Sequence, residues 1–422
     1  MREHARLELA IASDTSQPAS PASEAGTRRA VFAIAFGAGF ASLSMNFWIP
    51  FVPLYLKELG AGSDANALFW AGIAAGSQGV ARLVTGPVWG ILSDRYGRRP
   101  MFLRALYSAS ITMAVAAFAT EPWHIAAAFA MQGLFSGFIP AATALISVTV
   151  PDRRLNSSLS MVTGAQFIGN TLGPAIGGVL AYFVGYRGAI IGGAALPLIA
   201  GVFAQMAVPR DLVAQADTAG GEKPKAGGGS IRALLTGQFT LALLIWFVAL
   251  SFGQLVRTAA PISLEQLVGP DKAASAAAIG FTVAGLGGVI GVVVSGRLIR
   301  PGLLRTSLVI TAICVGLAHL LLPLANGIVT FTIGFAVIAM LSAAMVPATN
   351  TLIAANAPRE RRGTAFGLAG GIQAFAFMVG PMTAAGFAVV SLHLGFIAVG
   401  VVFFLLALVI WTGVREPDLD RS

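Results

Sequence analysis

Apolar runs about as long as a bilayer is thick alternate with short polar loops along most of the chain. A membrane-crossing helix needs about 20 mostly apolar residues. Twelve stretches meet that requirement: 30–56, 67–92, 101–120, 123–150, 155–183, 187–208, 237–263, 273–299, 303–324, 327–355, 363–390 and 393–413. The runs are too long for barrel strands and do not alternate with period two, so helices are predicted. Residues 1–29 read as a disordered tail, without a cleavable leader pattern, because the first apolar run begins only near Ala30. The longest break, 209–236, contains AGGEKPKAGGGS and has the composition of a flexible linker. The predicted organisation is a six-helix bundle over 30–208, the linker, a second six-helix bundle over 237–413 and a short tail over 414–422.

Composition agrees with this class. Only 11% of residues are charged and 56% are hydrophobic, with a mean hydropathy of +0.80; soluble domains carry about 25% charged residues. The chain is an all-α membrane protein. One cysteine, Cys314, excludes an intramolecular disulfide and a cysteine-based metal site.

The net charge of +9 changes the picture through its placement. Lys57, Arg187 and Lys272 fall in loops on one side, and Arg82 and Arg257 lie inside spans. The other 22 of the 27 basic residues sit on the opposite side or in the tails. Positive charge collects on the cytoplasmic side of membrane proteins, so both termini are expected in the cytoplasm of a bacterial inner membrane. The basic balance is thereby a topology signal rather than a nucleic-acid footprint.

The two halves repeat. Shifting the sequence by 207 residues aligns Ile139–Ala181 with Val346–Ala388 without a gap. Pro140/Pro347, Pro151/Pro358, Gln166/Gln373 and the Gly-Pro pair 173–174/380–381 are the informative identities. Duplicated six-span halves with a substrate site between them are an architecture of secondary transporters.

Two local patterns are more specific. Gly90-Ile-Leu-Ser-Asp94-Arg95-Tyr-Gly97-Arg98-Arg99 lies between spans 2 and 3, and Gly164, Gly169, Gly173-Pro174 and Gly177-Gly178 punctuate span 5. These resemble the loop 2–3 signature of the major facilitator superfamily and the span-5 antiporter signature of its twelve-span drug:proton antiporter branch. Ile49-Pro50-Phe51-Val52-Pro53 is similar to that branch's first-span motif. The resemblance implies twelve transmembrane helices in two pseudo-symmetric six-helix bundles. It also implies that Gly90, Asp94, Arg95, Gly97, Arg98 and Arg99 form a cytoplasmic gate. Asp94 would face the N-terminus of span 11 near Gly363-Thr364, where free backbone N–H groups carry partial positive charge. The second half keeps Gly296, Arg297, Arg300 and Gly302 but has no aspartate there, so latching is expected to be asymmetric.

Inside the spans, Arg82 and Arg257 each cost about 2.5–3.5 kcal/mol at mid-membrane and are expected to face a watery interior. The expected cavity lining is aromatic and amidic: Asn46, Trp48, Phe129, Gln132, Gln166, Asn170, Gln254 and Gln373 with the two arginines, and beside them Phe47, Phe135, Phe252, Asn350 and Phe377. Spans 1, 4, 7 and 10 are expected to supply most of it, with 2, 5, 8 and 11 alongside. No Asp or Glu falls within a span. The resembling antiporters carry an acid in span 1 and an arginine in span 4, where this chain has Asn46 and Phe129. Proton coupling is therefore expected at Asp94, Glu265 or His319.

The functional expectation is alternating-access export of hydrophobic or amphipathic small molecules in exchange for protons. The alternative is export or exchange of an organic anion using Arg82 and Arg257. A monomer in the lipid bilayer, with no cofactor and no metal, is expected. Enzyme chemistry finds no support, because the four histidines are scattered and no nucleophile–base or paired-carboxylate set can be assembled.

Overall fold

A computed structural model of the chain describes residues 21–135, 137–208, 236–298, 302–358 and 362–416. The predicted linker, most of both tails and Arg300 lie outside the described residues. Among those described, every regular element is a helix. We number them by span: α1 Pro21–Phe47, α2 Asp64–Tyr96, α3 Arg98–Ala117, α4a Pro122–Phe135, α4b Phe138–Thr149, α5 152–184, α6 186–207, α7 Gly237–Val268, α8 Pro270–Leu298, α9 Leu304–Leu321, α10 Ile328–Ala355, α11 Arg362–Val390 and α12 Leu392–Gly413. After α1 the chain continues through a 3-10 turn, Ile49–Phe51, and the short helix Val52–Leu56.

Among the described residues, ten helical stretches are long and apolar enough to cross a bilayer. Two further spans complete the twelve. The stretch Asp152–Ala207 is 56 residues long, which at 1.5 Å per residue would reach about 84 Å if straight. It breaks at Gly185, whose φ of +71° suits glycine and not a bulky residue. Leu180 and Gly192 then face each other across the turn. The twelfth is α2, 33 residues long, whose Ser77, Gln78, Arg82 and Ser93 dilute its hydropathy. Large apolar side chains such as Ile111, Phe183, Leu317 and Val390 stand exposed around the bundle, as a lipid-facing surface requires.

Span 4 differs from the expected continuous helix. α4a stops at Phe135, Gly137 adopts φ +116°, and α4b restarts at Phe138. Pro140 has no N–H to continue the ladder back across this point and sits instead in the first turn of the new helix, where none is needed. Side chains of other helices bond the freed carbonyls of α4a: Trp89 Nε1 donates to Leu134 O (2.6 Å) and Ser108 Oγ to Phe135 O (3.1 Å).

Glycines set the helix pairing. Gly169, Gly173 and Gly177 of α5 press against the α1 backbone at Gly39, Leu43 and Phe47; a methyl group at Gly173 would come within 2.6 Å of Leu43 O. The repeat reproduces this seam. Gly380 of α11, the counterpart of Gly173, presses against Ser251 O and Gln254 of α7. Small residues thus admit close backbone approach at the same place in both halves.

The bundles meet along two seams. On one, Gly72, Gly76 and Gly79 of α2 abut Met382, Met378 and Ala374 of α11. On the other, Gly178 of α5 abuts Ala278 of α8, and Thr171 lies against Gly285. Both contacts fade toward the end of the molecule where α1 begins and α12 ends. Gly86 and Gly90 of α2, Gly164 of α5, and Gly367 and Gly370 of α11 have no neighbour within 4 Å of where a side chain would begin. The opposite end is tied shut. Lys57 Nζ lies 2.9 Å from Asp64 Oδ1 and 2.7 Å from Glu265 Oε2, and Gln266 Nε2 donates to Asp64 Oδ2 at 2.9 Å.

Candidate functional site: a cavity between the bundles

A cavity of about 880 Å³ lies between the bundles below the Lys57–Glu265 tie. Of the residues named from the sequence, Asn46, Trp48, Arg82, Phe129, Gln132, Asn170, Gln254, Arg257, Gln373 and Phe377 line it. Gln166 is not among its lining residues. Nor are Phe47, which is buried in the core, Phe135, which lies beside Trp89, Phe252, which packs on Phe403, or Asn350. Spans 8 and 10 contribute no lining residue. The physical reason is that α8 and α10 are packed on each other, Gly287 and Gly291 against the carbonyls of Ala336 and Met340. Sequence reasoning missed span 3, which contributes Arg98, Met101 and Arg104.

The apex is an amide cluster. Asn46 Nδ2 donates to Ser42 O (2.9 Å) and to Asn170 Oδ1 (2.8 Å). This fixes its amide and turns Oδ1 toward Arg257 of the other bundle, whose Nη2 donates to it at 3.5 Å. The Arg257 guanidinium also lies 5.8 Å from the Phe281 ring centre. Two residues from Asn46, Trp48 is almost fully buried and backs Phe129, ring centres 4.6 Å apart, so that the pair presents an aromatic shelf to the cavity chiefly through Phe129. Gln78 Nε2 donates to Gln132 Oε1 at 2.6 Å, joining α2 to α4a.

Farther down, Arg82 lines the cavity and has no hydrogen-bond or ion-pair partner among the described residues. Two turns beyond it on α2, Trp89 carries Arg104 of α3 over its ring, 3.4 Å from the ring centre. Cation–π contact of this kind holds a guanidinium in a fixed plane. No carboxylate is among the described lining residues.

The basic residues of the loop 2–3 motif take several roles. Arg98 Nη1 donates to Ala144 O (3.0 Å) and Ser147 Oγ (2.9 Å) in α4b. Arg99 is buried and donates from Nε to Val208 O (2.8 Å) and from Nη2 to Gln205 O (2.6 Å), closing the C-terminus of α6. Guanidiniums suit these carbonyl-rich helix ends. Arg95 lies 5.6 Å from the Tyr96 ring, and Gly97, at φ +90°, makes the turn between α2 and α3. The Asp94 side chain lies outside the described residues, and so does the expected latch to the N-terminus of α11. In this conformation Gly90 faces open space.

Of the other titratable candidates, Glu265 belongs to the closed end. His319 is fully buried between α9 and α12, bonded through Nδ1 to Val315 O (2.7 Å) and stacked on Phe403; it does not line the cavity. No cluster of His, Cys, Asp or Glu suited to a metal ion occurs among the described residues.

Comparison with known proteins accords with this geometry. The Major Facilitator Superfamily profile matches residues 34–304 and 274–422. The multi-drug resistance efflux pump PmrA of Streptococcus pneumoniae is 37% identical over 152 residues, a match spanning 36% of this chain and 38% of that protein. The multidrug resistance protein MdtG of Klebsiella pneumoniae is 27% identical over 89% of this chain and 90% of its own length. The nucleoside transporter NupG superposes with a TM-score of 0.75 at 13% identity, over 91% of this chain and 98% of that one. That likeness speaks to the fold alone. With twelve spans in two bundles among the described residues, and a family match running along nearly its whole length, the chain belongs to the Major Facilitator Superfamily and is a multi-pass membrane protein.

Proposed function

We propose that the protein exports hydrophobic or amphipathic small molecules by alternating access, in exchange for protons. The observation that carries this reading is the cavity between the bundles, closed by Lys57, Asp64 and Glu265, with no described neighbour within 4 Å of where a side chain would begin at the lining residues Gly86, Gly90 and Gly370. The distribution of lysine and arginine assigns the open end to the cytoplasm, so this conformation loads from inside the cell. The Trp48–Phe129 shelf offers apolar contact, and the surrounding amides orient a ligand without demanding one shape. The names of the relatives, multidrug efflux pumps, support the same substrate class.

In this scheme Asp94 latches the cytoplasmic end when the cavity faces out. Glu265 holds the outer end while bound to Lys57 and releases it when protonated from outside. Transport in proteoliposomes tests the reading: an imposed proton gradient drives uptake of an amphipathic substrate, and nigericin, which collapses the gradient, abolishes it. Uptake unaffected by nigericin overturns proton exchange.

A further inference from the structure

The cavity sorts its charge in one direction. Arg257 lies eight residues from Glu265 on α7, about 12 Å along the helix axis from the closed end. Arg82 and Trp89 lie 18 and 25 residues from Asp64 on α2, about 27 and 37 Å from the same end. Guanidiniums therefore line the cavity at three levels: Arg98 and Arg104 near the mouth, the latter on Trp89, Arg82 midway and Arg257 at the apex. No carboxylate answers Arg82 or Arg257 among the described lining residues.

Other arginines of this protein show what a structural guanidinium does here. Arg98, Arg99 and Arg187 each donate to a backbone carbonyl at 3.0 Å or less. Arg257 makes one long bond, 3.5 Å, to an amide oxygen, and Arg82 makes none within the described structure. A charge kept in the membrane without such partners is held for something that enters the site.

We infer that the transported molecule is an amphipathic anion: its negative head group docks on Arg257, its apolar body lies on the Trp48–Phe129 shelf, and Arg104 and Arg82 draw it inward from the mouth. This rests on the transport reading above and names its substrate class. Arg257 keeps donors free for a carboxylate, sulfonate or phosphonate, which its planar fork meets through paired hydrogen bonds. Asn46 is already fixed by Ser42 and Asn170, so the guanidinium is aimed before the ligand arrives. A lipophilic cation of the same size meets the like charges of Arg82 and Arg257, with no carboxylate among the described lining residues.

The test holds the apolar body constant and varies the charge. Naphthalene-1-sulfonate, naphthalene-1-sulfonamide and (1-naphthylmethyl)trimethylammonium are titrated against the full-length protein in nanodiscs, and binding is read by calorimetry. The sulfonate is expected to bind at least tenfold tighter than the other two. Arg257→Gln is expected to bring sulfonate and sulfonamide within twofold of each other, through a larger loss of sulfonate affinity than of sulfonamide affinity. Arg257→Lys keeps part of the preference and controls for folding. Equal affinities in the unaltered protein, tighter binding of the ammonium compound, no binding of any of the three, or a sulfonate preference that survives Arg257→Gln each overturns the inference. Failure of the transport reading looks different: the sulfonate binds with the expected preference but does not cross proteoliposome membranes.

Discussion

Lys57, just beyond the first span, and Glu265, near the end of the seventh, meet at 2.7 Å and join the two bundles at their closed end. Lys57 also holds Asp64 at 2.9 Å, and Asp64 in turn accepts from Gln266. The tie is partly solvent-exposed, so each ion pair contributes no more than about 0.2–1 kcal/mol. Such a contact is strong enough to bias a conformational equilibrium and weak enough to be broken in every transport cycle.

Breaking this tie is expected to shift the equilibrium toward the outward-open state. Glu265→Gln removes the charge as protonation would, and up to about 1 kcal/mol lost corresponds to roughly fivefold in the ratio of states. Labelling from outside of a cysteine placed at Ala71, in a Cys314→Ser background, measures the change. The labelling rate rises in Glu265→Gln, and proton-driven uptake is lost. An unchanged labelling rate contradicts a gating role for the tie.

The span-5 glycines are expected to separate into two phenotypes. Gly177→Val forces a side chain into the backbone at Phe47, within one bundle, and overpacking of this kind costs about 1–3 kcal/mol or more. The expected result is a lowered melting temperature and poor expression. Gly178→Val meets Ala278 across the seam between bundles. It is expected to leave each bundle folded and to favour the state in which that seam is open. Thermal unfolding and cysteine accessibility, read together, distinguish the two.

Arg99 and Asp94 share a motif and are expected to fail differently. Arg99→Ala leaves the carbonyls of Gln205 and Val208 without their charged donor, costing about 1.5–3 kcal/mol, and the thermal stability of the protein falls. Asp94→Asn is expected to reduce transport with little change in stability, since its proposed partner is engaged only when the cytoplasmic end closes. Equal loss of stability in both variants contradicts a latch.

Trp89 is expected to matter twice. Its indole N–H closes the broken end of α4a at Leu134, and its ring carries Arg104. Trp89→Phe keeps a ring for the cation and loses the donor, whereas Trp89→Ala loses both. Sulfonate association rates at low salt are expected to fall more in Trp89→Ala than in Trp89→Phe, because only the former frees Arg104 from its fixed plane. Equal rates in the two variants contradict the positioning of Arg104.

Much of the fold was legible because bilayer thickness imposes its own period on the sequence. The turn at Gly185 falls between the runs predicted to end at 183 and begin at 187, and the repeated Gly-Pro pair marks equivalent helix seams in both halves. Arg82 and Arg257 stood out because a charge inside an apolar run requires an explanation. Other features depend on neighbours distant in sequence. That Arg104 lines the cavity follows from Trp89 on the adjacent helix. The capping by Arg98 and Arg99 requires knowing where α4b and α6 end. The break in span 4 had a local signal in Gly137 and Pro140, but the hydropathy of the run continues through it and masks the change of backbone.

Alternating access is the central claim, and distances across the α2–α11 seam test it most directly. Spin labels at residues 69 and 389 report the Lys57 end, and labels at residues 91 and 367 report the Gly90 end, both in a Cys314→Ser background. Double electron–electron resonance is recorded for each pair in nanodiscs at neutral and acidic pH, and again with Glu265→Gln. The account predicts opposite movements: acidification or Glu265→Gln lengthens the 69–389 distance and shortens the 91–367 distance. Distances that stay fixed at both ends, or lengthen together, contradict it.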